Sequence, residues 1–184
     1  MSSEAQKKDL KLIWLVLEMT GLDIDTNTII ESAIIISDLQ LQTMIEGPSI
    51  VIHTTEDRLN KMDAWNKKTH KKSNLWTKCI ESKIDLKTAE NTTLEFVSKH
   101  IKKGEGILAG NSVWQDAKFL SKYMPRLESY FNYRHIDVSS FKEVAVRWMN
   151  EAQVYEKKGS HRALGDIKES VEELKFYKKL FFPE

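Results

Sequence analysis

The most constraining feature of this sequence is an unbroken apolar run near the N-terminus, residues 12–17, which ends in a carboxylate. A short run of this kind is typical of a strand that is covered on both faces of a sheet. Glu18 follows the run directly, and Gly21 interrupts the pattern shortly afterwards. Because α/β sheets place ligands at the carboxyl ends of their strands, Glu18 lies where a site could form.

The composition limits the class of protein. The chain has 184 residues, 41% of them apolar and 30% charged, which suffices for one domain with a substantial core. We expect a loose tail at residues 1–10 and a single domain over residues 11–184. The net charge of +1 excludes a strongly basic surface, so contact with nucleic acid requires a local site. Cys79 is the only cysteine, which excludes an intrachain disulfide.

Neither a signal-peptide pattern nor an apolar run approaching the ~20 residues of a membrane span is found in the sequence. We therefore expect a cytoplasmic protein without a membrane partner. The lone cysteine fits a reducing compartment.

The order of the predicted elements indicates an α/β domain with a mixed sheet. After the first strand, β-branched segments predict an antiparallel meander with strands at residues 29–38, 40–45 and 49–53. Short strands are also expected at residues 107–109 and 136–138. Asp85 and Ser139 are candidate helix N-caps. Helices are predicted near residues 56–71, 74–82, 85–101, 116–124, 141–149 and 161–180.

Four polar residues at the ends of predicted elements could carry chemistry: Glu18, Asp116, His161 and Asp166. Taken singly, each has an ordinary interpretation as a strand end turning to solvent or as a polar residue near a helix start. Taken together, carboxylates from separate segments suit hard cations such as Mg²⁺ or Mn²⁺. Two such ions about 4 Å apart can stabilise both oxygens of a phosphodiester displacement. A neighbouring histidine could act as general base on the attacking water.

Motifs spread along the chain resemble those of one enzyme family. They lie at residues 17–23, 29–31, 46–48, 110–112, 122–125, 133–134, 137–139 and 160–164. On these motifs the sequence is similar, from about Leu12 to Tyr177, to the oligoribonucleases, a branch of the DEDDh 3′→5′ exonucleases. The resemblance implies an RNase H-like (DnaQ-type exonuclease) mixed sheet flanked by helices. It also implies a cytoplasmic homodimer that degrades very short RNA, above all dinucleotides, to mononucleotides.

The resemblance assigns the catalytic roles. Glu18, Asp116 and Asp166 match the family's metal ligands for Mg²⁺ or Mn²⁺, of which the family binds two ions. His161 matches the general base.

The resemblance also implies residues that bind substrate. Leu22 and Trp65 match an apolar and aromatic pair that grips the two bases, where stacking contributes roughly 1–3 kcal/mol per base. On spacing alone, Trp65 would instead be helix core packing, since it follows Leu59 and Met62 at intervals of three. The matches around the terminal phosphate of the dinucleotide are His70, Ser112, Arg134 and Ser139, with Tyr133 expected to come from the partner subunit.

Val16 is the main departure from the family pattern, because it occupies the position of the first aspartate, which is expected to touch both metal ions. Valine has no ligand atom, so metal affinity should fall and the two-ion site should be largely lost, while the strand itself should be unaffected. Gly165 also departs, since the family usually has an acid there. Val16 is consistent with a deliberate inactivating substitution, a natural weakened copy, or a poorer one-metal site.

Three functions remain open at this point. The first is an oligoribonuclease impaired by Val16. The second is a non-catalytic dinucleotide-binding protein, and the third is a DEDDh exonuclease acting on longer DNA or RNA. For the first, we expect Glu18, Asp116 and Asp166 to converge with His161 close by, in a two-fold dimer.

Overall fold

The apolar run forms the central strand of a five-stranded sheet in the computed structural model, which describes residues 10–149, 154–157 and 162–183. The strands are β1 (Lys11–Met19), β2 (Ile29–Asp38), β3 (Met44–Val51), β4 (Gly106–Gly110) and β5 (His135–Asp137). Their order across the sheet is β3-β2-β1-β4-β5. The first three pair antiparallel, whereas β4 is parallel to β1 and β5 is parallel to β4. The predicted mixed sheet is therefore confirmed.

Helices cover both faces of this sheet. They are α1 (Glu56–Leu59), α2 (Ala64–Lys72), α3 (Leu75–Glu81), α4 (Leu86–His100), α5 (Val113–Tyr123), α6 (Pro125–Glu128), α7 (Val138–Trp148) and α8 (Ala163–Phe181). Among the helices in the described ranges, none has the length and apolar character needed to cross a bilayer.

The alternation of side chains along β1 explains why the run is apolar throughout. Ile13 and Leu15 are buried on one face, in a cluster that includes Phe119 of α5. Leu12 and Trp14 are buried on the other face, in a cluster with residues of α7 and α8. Full burial of such a side chain contributes roughly 1.5–3 kcal/mol, so both faces of β1 fix its place at the centre of the sheet.

Two predicted boundaries around the hairpin and the first helix are wrong. The strands expected at 40–45 and 49–53 are one strand, β3, because the Asp38 carboxylate accepts hydrogen bonds from the backbone of Gln40, Gln42 and Thr43 and holds these residues in a turn. The helix expected over 56–71 divides into α1 and α2. Asp63 starts the second helix, since its carboxylate accepts a hydrogen bond from Asn66 N (2.8 Å).

Of three helix starts that the sequence predicts, one is confirmed and two differ from the prediction. Asp85 caps α4 as predicted, accepting from Thr88 N. The N-cap of α7 is Asp137 rather than Ser139, because the Asp137 carboxylate accepts from Ser139 N (2.9 Å). The helix expected from residue 116 begins at Val113, after Ser112 adopts a left-handed conformation (φ 49°). These starts bring α5 and α7 close together beyond β4 and β5.

Candidate active site

Three carboxylates from three elements line one cavity at the carboxyl end of β1. Glu18 comes from β1, Asp116 from the first turn of α5 and Asp166 from the first turn of α8. The cavity has a volume of about 390 Å³. The expected convergence of these side chains is thus observed, while their roles as metal ligands stay a prediction. Val16 lines the same cavity, on the same strand as Glu18.

Asp116 is buried against the end of β1. Its Oδ1 accepts a hydrogen bond from Leu17 N (2.9 Å), which ties the first turn of α5 to the central strand. Burial raises the pKa of Asp116 to about 7, although the hydrogen bond from Leu17 acts in the opposite direction. The side chain therefore serves neither as a solvent-exposed acid nor as a simple helix-dipole partner.

Glu18 also carries a large electrostatic penalty. Burial, together with the negative charges of Asp166, Glu31 and Asp116, raises the pKa of Glu18 to about 8, against the opposing charge of Arg162. Glu31 is the residue directly opposite Glu18 in the β1–β2 ladder. A cation placed among these carboxylates would relieve the repulsion that disfavours their ionised forms.

A buried ion pair lies beside this cluster, and sequence reasoning missed it. The guanidinium of Arg162 donates to the carboxylate of Glu31, with Nη2 to Oε1 at 2.6 Å and Nε to Oε2 at 3.2 Å, and the Glu31 side chain is only 1% exposed. The carbonyl of Arg162 accepts from Asp166 N (3.0 Å) in the first turn of α8. The pair therefore anchors to β2 the turn that carries Asp166. Glu31 within an apolar strand was the available signal.

Two of the residues matched to the terminal phosphate, Ser112 and Ser139, belong to a polar cluster where β4 and β5 end. Ser112 N donates to the hydroxyl of Ser139 (3.1 Å) and to the carboxylate of Asp137 (2.9 Å). Asn111 Nδ2 lies 3.4 Å from the same Ser139 hydroxyl. Asn111 and Ser112 line the cavity with the carboxylates, so this cluster is continuous with the acidic site.

The two residues matched to the bases, Leu22 and Trp65, are both exposed. Leu22 is 68% and Trp65 62% exposed. Core packing of Trp65 is therefore excluded, because the helix break at Asp63 ends the three-residue spacing on which that interpretation rested. Gln115 Nε2 donates to the Leu22 carbonyl (2.9 Å), which ties the loop after β1 to α5.

The other matched residues are placed differently from one another. His70 is buried, and its Nε2 lies 3.2 Å from the Met19 carbonyl, which can only accept, so Nε2 carries the proton. Tyr133 is 79% exposed, and the Arg134 guanidinium lies 4.8 Å from the centre of the Tyr133 ring. Neither side chain lines the cavity in this chain. His161 lies outside the described residues.

The acids of the cavity suit a metal ion in their chemistry but do not form a ready-made ligand group within the described residues. Within the described ranges, no group of three or more His, Cys, Asp or Glu side chains is arranged to hold a metal ion. The three carboxylates are nevertheless the donor type that a hard divalent cation prefers, and the raised pKa values of Glu18 and Asp116 mark a site short of positive charge. The residues present fit a cation in donor chemistry, and Val16 marks the wall of the cavity where no donor is offered.

Known proteins resemble this chain in both sequence and structure. A family profile described as Exonuclease (RNase_T) matches residues 13–174. The chain is 48% identical over 181 residues to an oligoribonuclease of Idiomarina loihiensis, covering 98% of each chain. The chain belongs to the oligoribonuclease family. An oligoribonuclease of Marinobacter nauticus is 49% identical over 173 residues, which cover 94% of this chain and 96% of that protein.

The fold of this oligoribonuclease family member is also found in more distant exonucleases. The zinc-bound form of an Escherichia coli exonuclease I complex with single-stranded DNA superposes with a TM-score of 0.61 at 10% identity. The match covers 96% of this chain and 42% of that one, so the chain spans less than half of the larger enzyme. The RNase H-like fold predicted from the sequence is thereby confirmed.

Proposed function

We propose that this chain is built as a 3′→5′ exoribonuclease that hydrolyses very short RNA, especially dinucleotides, to mononucleotides in the cytoplasm. The observation that carries the proposal is the convergence of Glu18, Asp116 and Asp166 on one cavity. This cavity is continuous with the polar cluster around Ser112 and Ser139. Membership of the oligoribonuclease family supports it independently.

Glu18, Asp116 and Asp166 would hold divalent metal, Mg²⁺ or Mn²⁺. Bound metal supplies activation of the attacking water and stabilisation of the charge that develops on phosphorus oxygens. The zinc-bound exonuclease I with the same fold is consistent with a divalent ion at such a site. Val16 removes a carboxylate from the cavity wall, so we expect one weakly held ion where the family has two.

Other residues of the chain would bind and orient the RNA. The exposed Leu22 and Trp65 side chains would hold the two bases, since an accessible aromatic ring stacks on any base. Ser112 and Ser139 would bind the terminal phosphate. Arg134 would add two donors to its oxygens, because the guanidinium fork matches a phosphate.

Three further matched residues complete the proposed site. His161 would take the proton from the attacking water. His70 would support the residues that bind the phosphate, since its buried ring contacts the Met19 carbonyl at the end of β1. Tyr133, exposed on this chain, would act in the partner's site of a homodimer.

The first test is hydrolysis of a diribonucleotide with Mn²⁺ or Mg²⁺ by this chain and by Val16→Asp. We expect Val16→Asp to turn over at least a hundredfold faster, because the added carboxylate completes the ligand set. Val16→Asn is the matched control, since it has the same shape without the charge and should stay slow. Equal rates for the parent chain and Val16→Asp would show that position 16 is not at the metal site.

A non-catalytic dinucleotide-binding function is the second candidate, and the valine at position 16 specifically favours it. It predicts tight dinucleotide binding in chelator with no turnover in either form. A DEDDh exonuclease for longer strands is the third, and equal cleavage of a dinucleotide and a longer strand by Val16→Asp would favour it.

A further inference from the structure

Lys157 is fixed at the edge of the candidate active site by a buried acid. Its Nζ lies 3.0 Å from a carboxylate oxygen of Glu173 in α8, whose side chain is only 3% exposed. Nζ also donates to Oδ1 of Asn111 (2.6 Å). Asn111 Nδ2 in turn donates to the Glu173 carboxylate (2.8 Å), so the three side chains form a closed polar triangle. The ammonium is thereby held in one place, although its stem comes from a chain segment outside regular secondary structure.

The triangle is part of the wall of the acidic cavity. Lys157 and Asn111 line it together with Glu18, Asp116 and Asp166. Asn111 is adjacent to Ser112 and lies 3.4 Å from the Ser139 hydroxyl, so the ammonium stands next to the cluster proposed to bind phosphate.

Charge indicates what this ammonium can do. Among the described residues that line the cavity, Lys157 is the one basic side chain, facing a wall that includes four acids: Glu18, Asp116, Asp166 and Glu169. An RNA phosphate that enters is repelled by these acids and attracted by Lys157. A lysine ammonium has three N–H donors, and Asn111 and Glu173 use two of them, which leaves one for a ligand oxygen.

We infer that Lys157 binds a phosphate oxygen of the RNA substrate and that Glu173 and Asn111 position it for this contact. The inference rests on the proposed function, because it names a further substrate-binding residue of the same site. The alternative is that Lys157 serves only as the counter-ion of the buried Glu173. The two roles differ in what happens when both charges are removed together.

The decisive variant is therefore Lys157→Met/Glu173→Gln. Lys157→Met alone leaves the Glu173 carboxylate buried without its cation, so it weakens folding as well as binding. The double variant removes both charges, and Asn111 can still hydrogen-bond to Gln. We expect its melting temperature to stay close to that of the parent chain, while the Kd for 5′-phosphorylated diadenylate, measured by calorimetry in chelator, rises about tenfold. Lys157→Arg should recover much of this affinity, since it restores a cationic donor.

Lys175→Met/Glu172→Gln is the matched control. This pair receives the same two kinds of substitution at an ion pair of 2.7 Å, whose glutamate lies on α8 as Glu173 does and whose residues do not line the active-site cavity. It should leave the Kd unchanged. An unchanged Kd in Lys157→Met/Glu173→Gln would overturn the inference and leave Lys157 as a counter-ion.

A comparison of two substrates shows which phosphate oxygen Lys157 binds. A tenfold effect that disappears with 5′-hydroxyl diadenylate assigns Lys157 to the terminal phosphate, and an effect that persists assigns it to the phosphodiester. If the parent chain binds neither substrate and Val16→Asp hydrolyses neither, the proposed function fails and the inference fails with it. If the parent chain binds and the double variant binds equally well, the role of Lys157 alone fails.

Discussion

The carboxylates at the two ends of the β1–β2 ladder have pKa values that are shifted in opposite directions. At one end Asp38 stands opposite Lys11, and at the other Glu18 stands opposite Glu31. Burial alone would raise the pKa of Asp38, but hydrogen bonds from Thr43, Gln42 and Gln40 outweigh it and lower the pKa to about 2. Burial and neighbouring acids raise the pKa of Glu18 to about 8.

The difference shows how one sheet separates a structural acid from a candidate functional one. The turn after β2 supplies donors to Asp38, so its charge is satisfied by the fold itself. At the other end, the donors go to Glu31, which binds Arg162 and Ala163 N, and the carboxylate of Glu18 faces the cavity with Asp116 and Asp166. Neighbouring acids that raise the pKa of a carboxylate in this way are typical of sites that bind a cation.

The largest effect on this comparison should come from Arg162→Met. It leaves the Glu31 carboxylate buried without its cation, next to Glu18, and should lower the free energy of unfolding by about 3 kcal/mol in urea titrations. Arg162→Met/Glu31→Gln should recover more than half of the loss, because the buried charge is then absent. A single variant as stable as the parent chain would show that the pair does not anchor α8 to β2.

A smaller effect of opposite sign is expected from Glu18→Gln in chelator. The folded-state pKa of Glu18 is raised from 4.5 to about 8, so ionising this side chain costs the folded protein free energy. This cost is absent below the unfolded pKa, grows as the pH rises between those two values, and levels off above. Glu18→Gln should therefore be the more stable form at pH 8.5, by about 2 kcal/mol, and no more stable than the parent chain at pH 4.

The control for this prediction is to repeat the measurement with bound metal. Saturating Mn²⁺ should reduce the advantage of Glu18→Gln, since a bound ion stabilises the folded parent chain and favours its ionised carboxylate. An advantage that is the same at pH 4 and pH 8.5 would contradict an electrostatic origin.

The parts of the fold that could be predicted from the sequence are those whose cause is local. The run at residues 12–17 needs both faces buried wherever it lies, so its central position followed from composition alone. The division of the helix at Asp63 was missed, although an aspartate three residues before Asn66 is a readable N-cap. The start of α5 could not be predicted, because it depends on a left-handed Ser112.

The candidate site likewise has one part that could be predicted from the sequence and another that depends on the fold. The resemblance supplied Glu18, Asp116 and Asp166, but neither spacing nor composition shows that Glu31 and Arg162, 131 residues apart, are partners. Lys157 lies in a polar loop where a lysine is unremarkable, and only the fold brings it to Glu173. Ion pairs between separate elements of the fold are thus the part of a site that a single sequence does not show.

The smallest effect should come from Asp38→Asn, at the satisfied end of the ladder. The pKa of Asp38 is lowered from 3.8 to about 2, so its charge contributes stability above pH 4 that is lost as the pH falls toward 2. The side chain is partly exposed, and solvent screening reduces the effect to about 1 kcal/mol at pH 7. Urea unfolding at pH 7 and pH 3 should show the difference between Asp38→Asn and the parent chain shrinking at the lower pH. Raising the pH should therefore shift the two variants in opposite directions, because Asp38→Asn becomes less stable than the parent chain whereas Glu18→Gln becomes more stable. Two variants with the same trend would mean that the two ends of the ladder do not differ in how they hold charge.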